Sequence, residues 1–320
     1  MDEVDRMQMN KEPELIMHHK HVDNFWRQKA NLIWNLEGEE NTKFLHVVVK
    51  GRRKYLQIRR IYENGASIEE EEEIGNAAAK FYQNLFTHQD THIDLSILEH
   101  VPNCIDSFDN ENLSKIPSGK EVKKAVFDIN PNSATGLDGY SGMPISLSNV
   151  TQKIISKVLS DRLANVLPKI ISANQSGFIK GRTIEENALL AQEIIHDLKQ
   201  ENRDGNVIFK IDMNKAYNRL SWYFLCVVMR KMGFDEKWIF IIWNVLSNNW
   251  YTVVINGKRH GFFNSQIGVK QGDPISPALF IIAAETLSCM LNNLYNDPTF
   301  ISFTMQKKVL KLIILRMLTT

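Results

Sequence analysis

The sequence predicts an α+β protein, and three observations carry that expectation. Long segments repeat apolar residues at mixed three and four spacing, a short β-branched run at 207–213 breaks that period, and two Asn-Gly pairs punctuate runs of strand character. With 320 residues, 43% hydrophobic and 23% charged, the chain can bury a substantial core as one large domain or two modest ones. It contains no G-x-G-x-x-G loop and no P-loop lysine motif, so neither of those nucleotide-binding designs is expected.

Taken in order, residues 12–36 space Leu15, Phe25, Trp26, Ile33 and Trp34 as one or two helices. Residues 43–60 hold Lys43, Lys50, Arg52, Arg53, Lys54, Arg59 and Arg60, no acid, and the aromatics Phe44 and Tyr55. Such a run is either a strip facing nucleic-acid phosphates or a solvated surface. IYENGASI reads as strand, turn and strand about Asn64-Gly65. Five acids, Glu69 to Glu73, then open a helix bearing Ile74, Ala78, Phe81, Tyr82 and Leu85, where negative charge suits the first turn. Residues 87–117 are polar and read as an irregular internal linker.

Ser118 and Glu121 form a capping-box pattern before a helix with Val122, Ala125 and Val126 on one face. NPNSATGLDGYSG, with three glycines, is expected to be an exposed loop. Residues 147–171 predict one amphipathic helix with Ile154, Ile155, Val158, Leu159, Leu163, Val166 and Leu167 on its apolar face, ending near Pro168. A second spans 184–198. VIFKIDM (207–213) predicts a strand entering the core, followed by helices over 222–231 and 236–247 divided by Gly233. WYTVVING and HGFFNSQIG predict a hairpin about Asn256-Gly257, and residues 277–294 a strongly apolar helix.

Composition narrows the function little. Lys and Arg total 38 against 37 acids, so a net charge of +1 neither requires nor forbids a nucleic-acid partner. Cys104, Cys226 and Cys289 are odd in number and lack a C-x-x-C pair, which argues against a disulfide framework or zinc site and suits a reducing intracellular compartment, nucleus or cytoplasm. The first 21 residues have no apolar core of a signal peptide, and no stretch reaches the roughly 18 apolar residues of a membrane span, so no membrane partner is expected.

Asp212 is the most informative position, because a carboxylate ending an apolar strand is costly unless it is hydrogen-bonded or binds a cation. Taken alone, a structural or capping role is the commoner outcome for such a residue. Tyr217, five positions on, could stand beside a nucleotide sugar, or be a buried aromatic opening the next helix. GVKQGDPISP places two glycines and two prolines about Gln271 and Asp273, a shaped turn into a helix whose free amides suit phosphate or a base edge, though such turns also serve as plain connections.

At these positions the chain resembles the reverse transcriptase of plant LINE-type, non-long-terminal-repeat retrotransposons. The resemblance runs through WRQKANLIWNLEGEENTKFLH, AAKFYQNLFT, ATGLDG, PISLSNVTQKIISKVLSDRL, QSGFIKGR, FKIDMNKAYNRLSW, MGFDEKWI and VKQGDPISPALF, in family order. It implies an incomplete right-hand polymerase: a helical and basic linker over 1–60, a partial fingers-associated region over 61–140, and partial fingers and palm over 141–320. Asp212 would be the first metal-binding carboxylate of a site for two Mg2+ ions, and Tyr217 the side chain that gates deoxynucleotides by their sugar. Gln271, Gly272, Asp273 and Pro274 would position the RNA template and incoming nucleotide against a DNA primer. Arg182, in QSGFIKGR, joins the basic strip as a nucleic-acid contact.

Three departures from the family pattern imply that the ancestral activity, RNA-directed DNA polymerisation, is lost. Met143 replaces an arginine before Pro144-Ile145 and the stretch preceding it is shortened; Asn218 stands where the family has aspartate; and the paired carboxylates of Tyr-Ala-Asp-Asp do not occur. The codons of KLIILRMLTT permit a shifted reading, Ile/Val-Asn-His-Leu-Ala-Tyr-Ala-Asp-Asp, so a single-nucleotide slip upstream of Lys311 is an expectation that the coding DNA decides. Without that hairpin the palm sheet would expose an open edge. A remnant that binds nucleic acid without catalysis is the alternative.

Overall fold

The computed structural model describes residues 51, 57–87, 94–129, 150–198, 213 and 215–300, with the backbone of two short strands beyond them. The helices expected in 12–36, most of the basic strip, the loop at 130–142, the strand at 207–213 with Asp212, and residues 310–320 lie outside the described residues. Of those described, 57–80 and 252–261 belong to one compact unit, and 81–251 with 262–300 to a second.

The first unit is built on local turn chemistry. Strands β1 (Ile61–Glu63) and β2 (Ala66–Ile68) pair antiparallel with Ile61 opposite Ile68, and Asn64 (φ 50°) and Gly65 (φ 85°) supply the left-handed turn that the sequence predicted. Helix α1 (Glu71–Phe86) starts here with Glu71, Glu72 and Glu73 in its first turn and buries Ile74 and Ala79. Strands β3 (Trp250–Ile255) and β4 (Lys258–Asn264) form the second hairpin, turning at Asn256 (φ 51°) and Gly257 (φ 87°). Asn256 brackets Ile58, its Oδ1 accepting from the Ile58 amide at 2.9 Å and its Nδ2 donating to the Ile58 carbonyl at 2.8 Å.

The second unit is mainly helical. Residues 94–117 are not the linker expected from their polarity: Leu95–Leu98 form a 3-10 turn, α2 spans Ser107–Ser114, and Leu98, Val101, Ile105 and Leu113 are buried. Asp106 caps α2, and Asn110 fastens it by donating to the Gly233 carbonyl (2.8 Å) and accepting from the Asp235 amide (2.8 Å). Helix α3 (Gly119–Asp128) carries the expected capping box from Ser118 and Glu121. The single helix expected over 147–171 is two. α4 (Val150–Leu163) ends, residues 164–166 turn, and Pro168 sits in the first turn of α5 (Leu167–Ile170), where its missing N–H is tolerated; it begins a helix rather than stopping one.

Then come α6 (Ile184–Leu198), α7 (Ala216–Arg219), α8 (Trp222–Met232), α9 (Glu236–Ser247) and α10 (Ser276–Asn293). Gly233, left-handed at φ 96°, stops α8, and no other residue fits, because a Cβ there would strike Asn103 and the Ile105 carbonyl. Leu225 and Met229 of α8, Trp238 and Ile242 of α9, and Leu279 and Ile281 of α10 are sealed from solvent as the centre of this core. Residues Ser276–Asn296 are long and apolar enough to cross a membrane, but more than half of the apolar 18-residue window within them is buried and the stretch carries the buried Glu285, as in a core helix. Beyond it, β5 (Thr304–Met305) and β6 (Lys308–Val309) pair antiparallel.

Candidate functional site

The 267–276 turn is sewn to the segment that carries Tyr217. Ser221 and Ile267 form an antiparallel bridge, the Gly268 amide donates to the Leu220 carbonyl at 2.8 Å, and the Val269 amide donates to the Tyr217 carbonyl at 2.7 Å. The indole N–H of Trp222 donates to the Gly268 carbonyl at 2.6 Å. So close an approach needs glycine: Gly268 has φ 84°, and an added Cβ would lie 2.9 Å from the Asn218 carbonyl oxygen. Tyr217 is half-buried, its ring stacked on Phe280 with centroids 5.4 Å apart, and burial pushes its phenol above the ordinary range. Short α7 opens at Lys215 (φ 55°), whose ammonium lies 5.4 Å from the Phe81 ring centroid.

From below, α4 holds the turn by a polar stripe at four-residue spacing. The Ser156 hydroxyl donates to Asp273 Oδ1 and accepts from the Ile275 amide at 3.2 Å; Ser160 Oγ donates to the Pro274 carbonyl at 3.0 Å. Gln152 Oε1 accepts from Lys270 Nζ at 2.8 Å, and its Nε2 donates to Asn249 Oδ1 at 2.9 Å. Lys270, Asp273, Ser156 and Asn249 are all buried. Burial raises the Asp273 carboxyl and lowers the Lys270 ammonium, and each charge partly offsets the other's shift. Asp273 Oδ1 also accepts from the Ile275 amide at 3.3 Å, so this carboxylate is an internal acceptor that shapes the turn. Gln271 and Pro274 are half-buried, and Gly272 (φ 83°) is exposed. Gln152, Ser156, Ser160 and Lys270 were not legible as site residues; the signal was a polar Q-x3-S-x3-S row on a helix read only for its apolar face.

Arg182 is turned inward. Its guanidinium donates to the carbonyls of Ser172 (2.6 Å), Gln175 (2.7 Å) and Ile171 (3.0 Å), fastening the QSGFIKGR loop. In the first unit, Arg59 is exposed, and Arg60 pairs with Glu69; a Tyr62 hydrogen bond first, and then Glu69, raise its already high pKa. Lys43, Lys50, Arg52, Arg53, Lys54 and the metal candidate Asp212 lie outside the described residues. Among the described residues no group of three or more His, Cys, Asp or Glu side chains is placed to hold a metal ion.

A sequence-family profile described as reverse transcriptase (RNA-dependent DNA polymerase) matches residues 140–318, more than half of the chain and all of the turn, α4 and α7. The chain belongs to the reverse transcriptase family. Among its relatives is the transposon TX1 uncharacterized 149 kDa protein of Xenopus laevis, 22% identical over 321 residues, covering 83% of this chain and 24% of that protein. Another is the retrovirus-related Pol polyprotein from type-1 retrotransposable element R2 of Popillia japonica, 27% identical over 151 residues, covering 47% of this chain and 21% of the polyprotein. The corresponding polyprotein of element R2DM from Drosophila melanogaster is 24% identical over 172 residues, 54% of this chain and 16% of its own length. The chain therefore spans about a quarter or less of the relatives it matches. Reverse transcriptases generally use divalent metal ions, and nucleic acid is the substrate class of the family.

Proposed function

We propose that residues 1–320 are the fingers and part of the palm of a right-hand RNA-directed DNA polymerase from a LINE-type, non-long-terminal-repeat retrotransposon of plant origin, and that this polypeptide binds template and primer without extending the primer. The observation that carries the reading is the apposition of the Tyr217–Leu220 segment to Gly268 and Val269, with the Gln271–Pro274 turn braced by α4. In this reading Tyr217 gates the nucleotide and the turn positions it, and their shared support favours the fixed mutual placement that polymerisation requires. In this reading Asp212 is a metal ligand, the acids to complete a two-cation site are missing from the 320 residues, and developing charge on the reacting phosphate goes unstabilised. The regions 1–60, 61–140 and 141–320 serve as basic linker, partial fingers, and fingers with palm, in a reducing compartment of the cell.

Titrating a labelled RNA-template DNA-primer duplex with the protein at two salt concentrations tests the binding half of the proposal. Binding that weakens steeply with salt is expected, since neutralised phosphates release counterions. No binding even at low salt would sink it.

A further inference from the structure

We propose that Phe178 is a base-stacking platform for single-stranded RNA, with Lys180 beside it for the backbone phosphate. The inference deepens the template-binding reading above and rests on it. Phe178 holds φ 62°, a left-handed conformation that bulky side chains rarely adopt, and yet its side chain is 43% exposed, so core packing does not account for it. The loop around it is over-determined. Gln175, Ser176 and Ile179 are buried, and Gln175 Nε2 donates to the Gly177 carbonyl at 2.9 Å. Arg182 ties three carbonyls at the loop base, and its own amide donates to the Ile179 carbonyl at 3.2 Å.

A rigid loop that spends conformational strain to hold an aromatic ring in solvent is suited to a flat partner, because the ring loses little further freedom on binding. Two residues on, exposed Lys180 lines an open cleft of about 270 Å³ whose other charged residues are Lys124, Arg162, Glu121 and Asp161. An exposed aromatic face with a lysine two residues along matches an unpaired base with its phosphate, whereas a duplex keeps its base faces stacked and out of reach.

The test is fluorescence anisotropy of labelled oligouridine and of a fully paired RNA duplex, with wild type, F178A, F178G and F178W. F178G is included because glycine accepts the positive φ, so its melting temperature should not fall below that of wild type. F178A and F178G are expected to weaken oligouridine binding about tenfold, F178W to stay within about twofold, and duplex binding to be unchanged in all three. K180A should lower the salt slope for oligouridine by about 0.7. Wild-type affinity in F178G, equal losses on single strand and duplex, or failure of wild type to bind oligouridine would each overturn the proposal. If wild type still binds the template–primer duplex, only the platform falls; if it binds neither, the proposed function falls with it.

Discussion

Arg162 ties three neighbours together with one guanidinium. Buried in α4, it donates to Glu121 through Nε at 3.1 Å, and its Nη1 reaches the Leu113 and Lys115 carbonyls at 2.9 and 2.5 Å. Its hydrogen bond, helped by the Ser118 amide, holds the Glu121 carboxyl down at about 2 against an ordinary 4.5. A depressed folded pKa gives stability that is present above the unfolded value and lost as pH falls through the folded one. Unfolding midpoints should therefore drop between about pH 4.5 and 2, and Glu121→Gln should flatten that window; an unchanged acid limb would refute it. Arg162→Ala should cost about 3 kcal/mol in denaturant melts, since it strands an acid and two carbonyls. In the turn, Asp273→Ala removes the acceptor of the Ser156 hydroxyl and should cost about 2 kcal/mol, whereas Asp273→Asn keeps an acceptor oxygen and should cost less than about 1. The two glycines divide likewise. Gly268→Ala drives a Cβ into the Asn218 backbone and should cost more than about 2 kcal/mol, but Gly272→Ala meets open space and bears only the left-handed penalty of about 1.

At the scale of elements, the parts set by short-range rules were readable in the sequence. Both Asn-Gly turns, the Ser118 capping box, the Gly233 stop and α6 follow from side-chain chemistry within a few residues, and each forms where the pattern placed it. Helix α2 was not readable, because SFDNENLS has almost no apolar stripe; it is fixed from outside by Lys169 on Asp109 at 2.7 Å and by Asn110 on the α8–α9 corner. Of the site, Tyr217 and the Gln271–Pro274 turn were visible as unusual residues in unusual places. Their support was not: a buried lysine such as Lys270 looks like any solvated cation until Gln152, itself held by Asn249, is seen to accept from it. Helix α10 is the element on which the second unit most depends, and Leu279→Ala, at a fully sealed position, should lower stability by about 3 kcal/mol in the same melts.

For the whole molecule, the folded scaffold and the chemistry separate. In the proposed reading, the helical core of the second unit, with the turn and Tyr217 set into it, is the support for template and primer, while transfer of a nucleotide depends on several carboxylates gathered around two cations. A frame can hold template and primer through many small contacts, each tolerant of loss; a two-metal site fails when most of its ligands are gone. The most direct measurement is primer extension by the purified 320-residue protein on an RNA template, with all four deoxynucleotides and Mg2+, beside the Asp212→Ala variant. No product above the protein-free control is expected from either. Extension by the wild-type chain that disappears in Asp212→Ala would contradict the account.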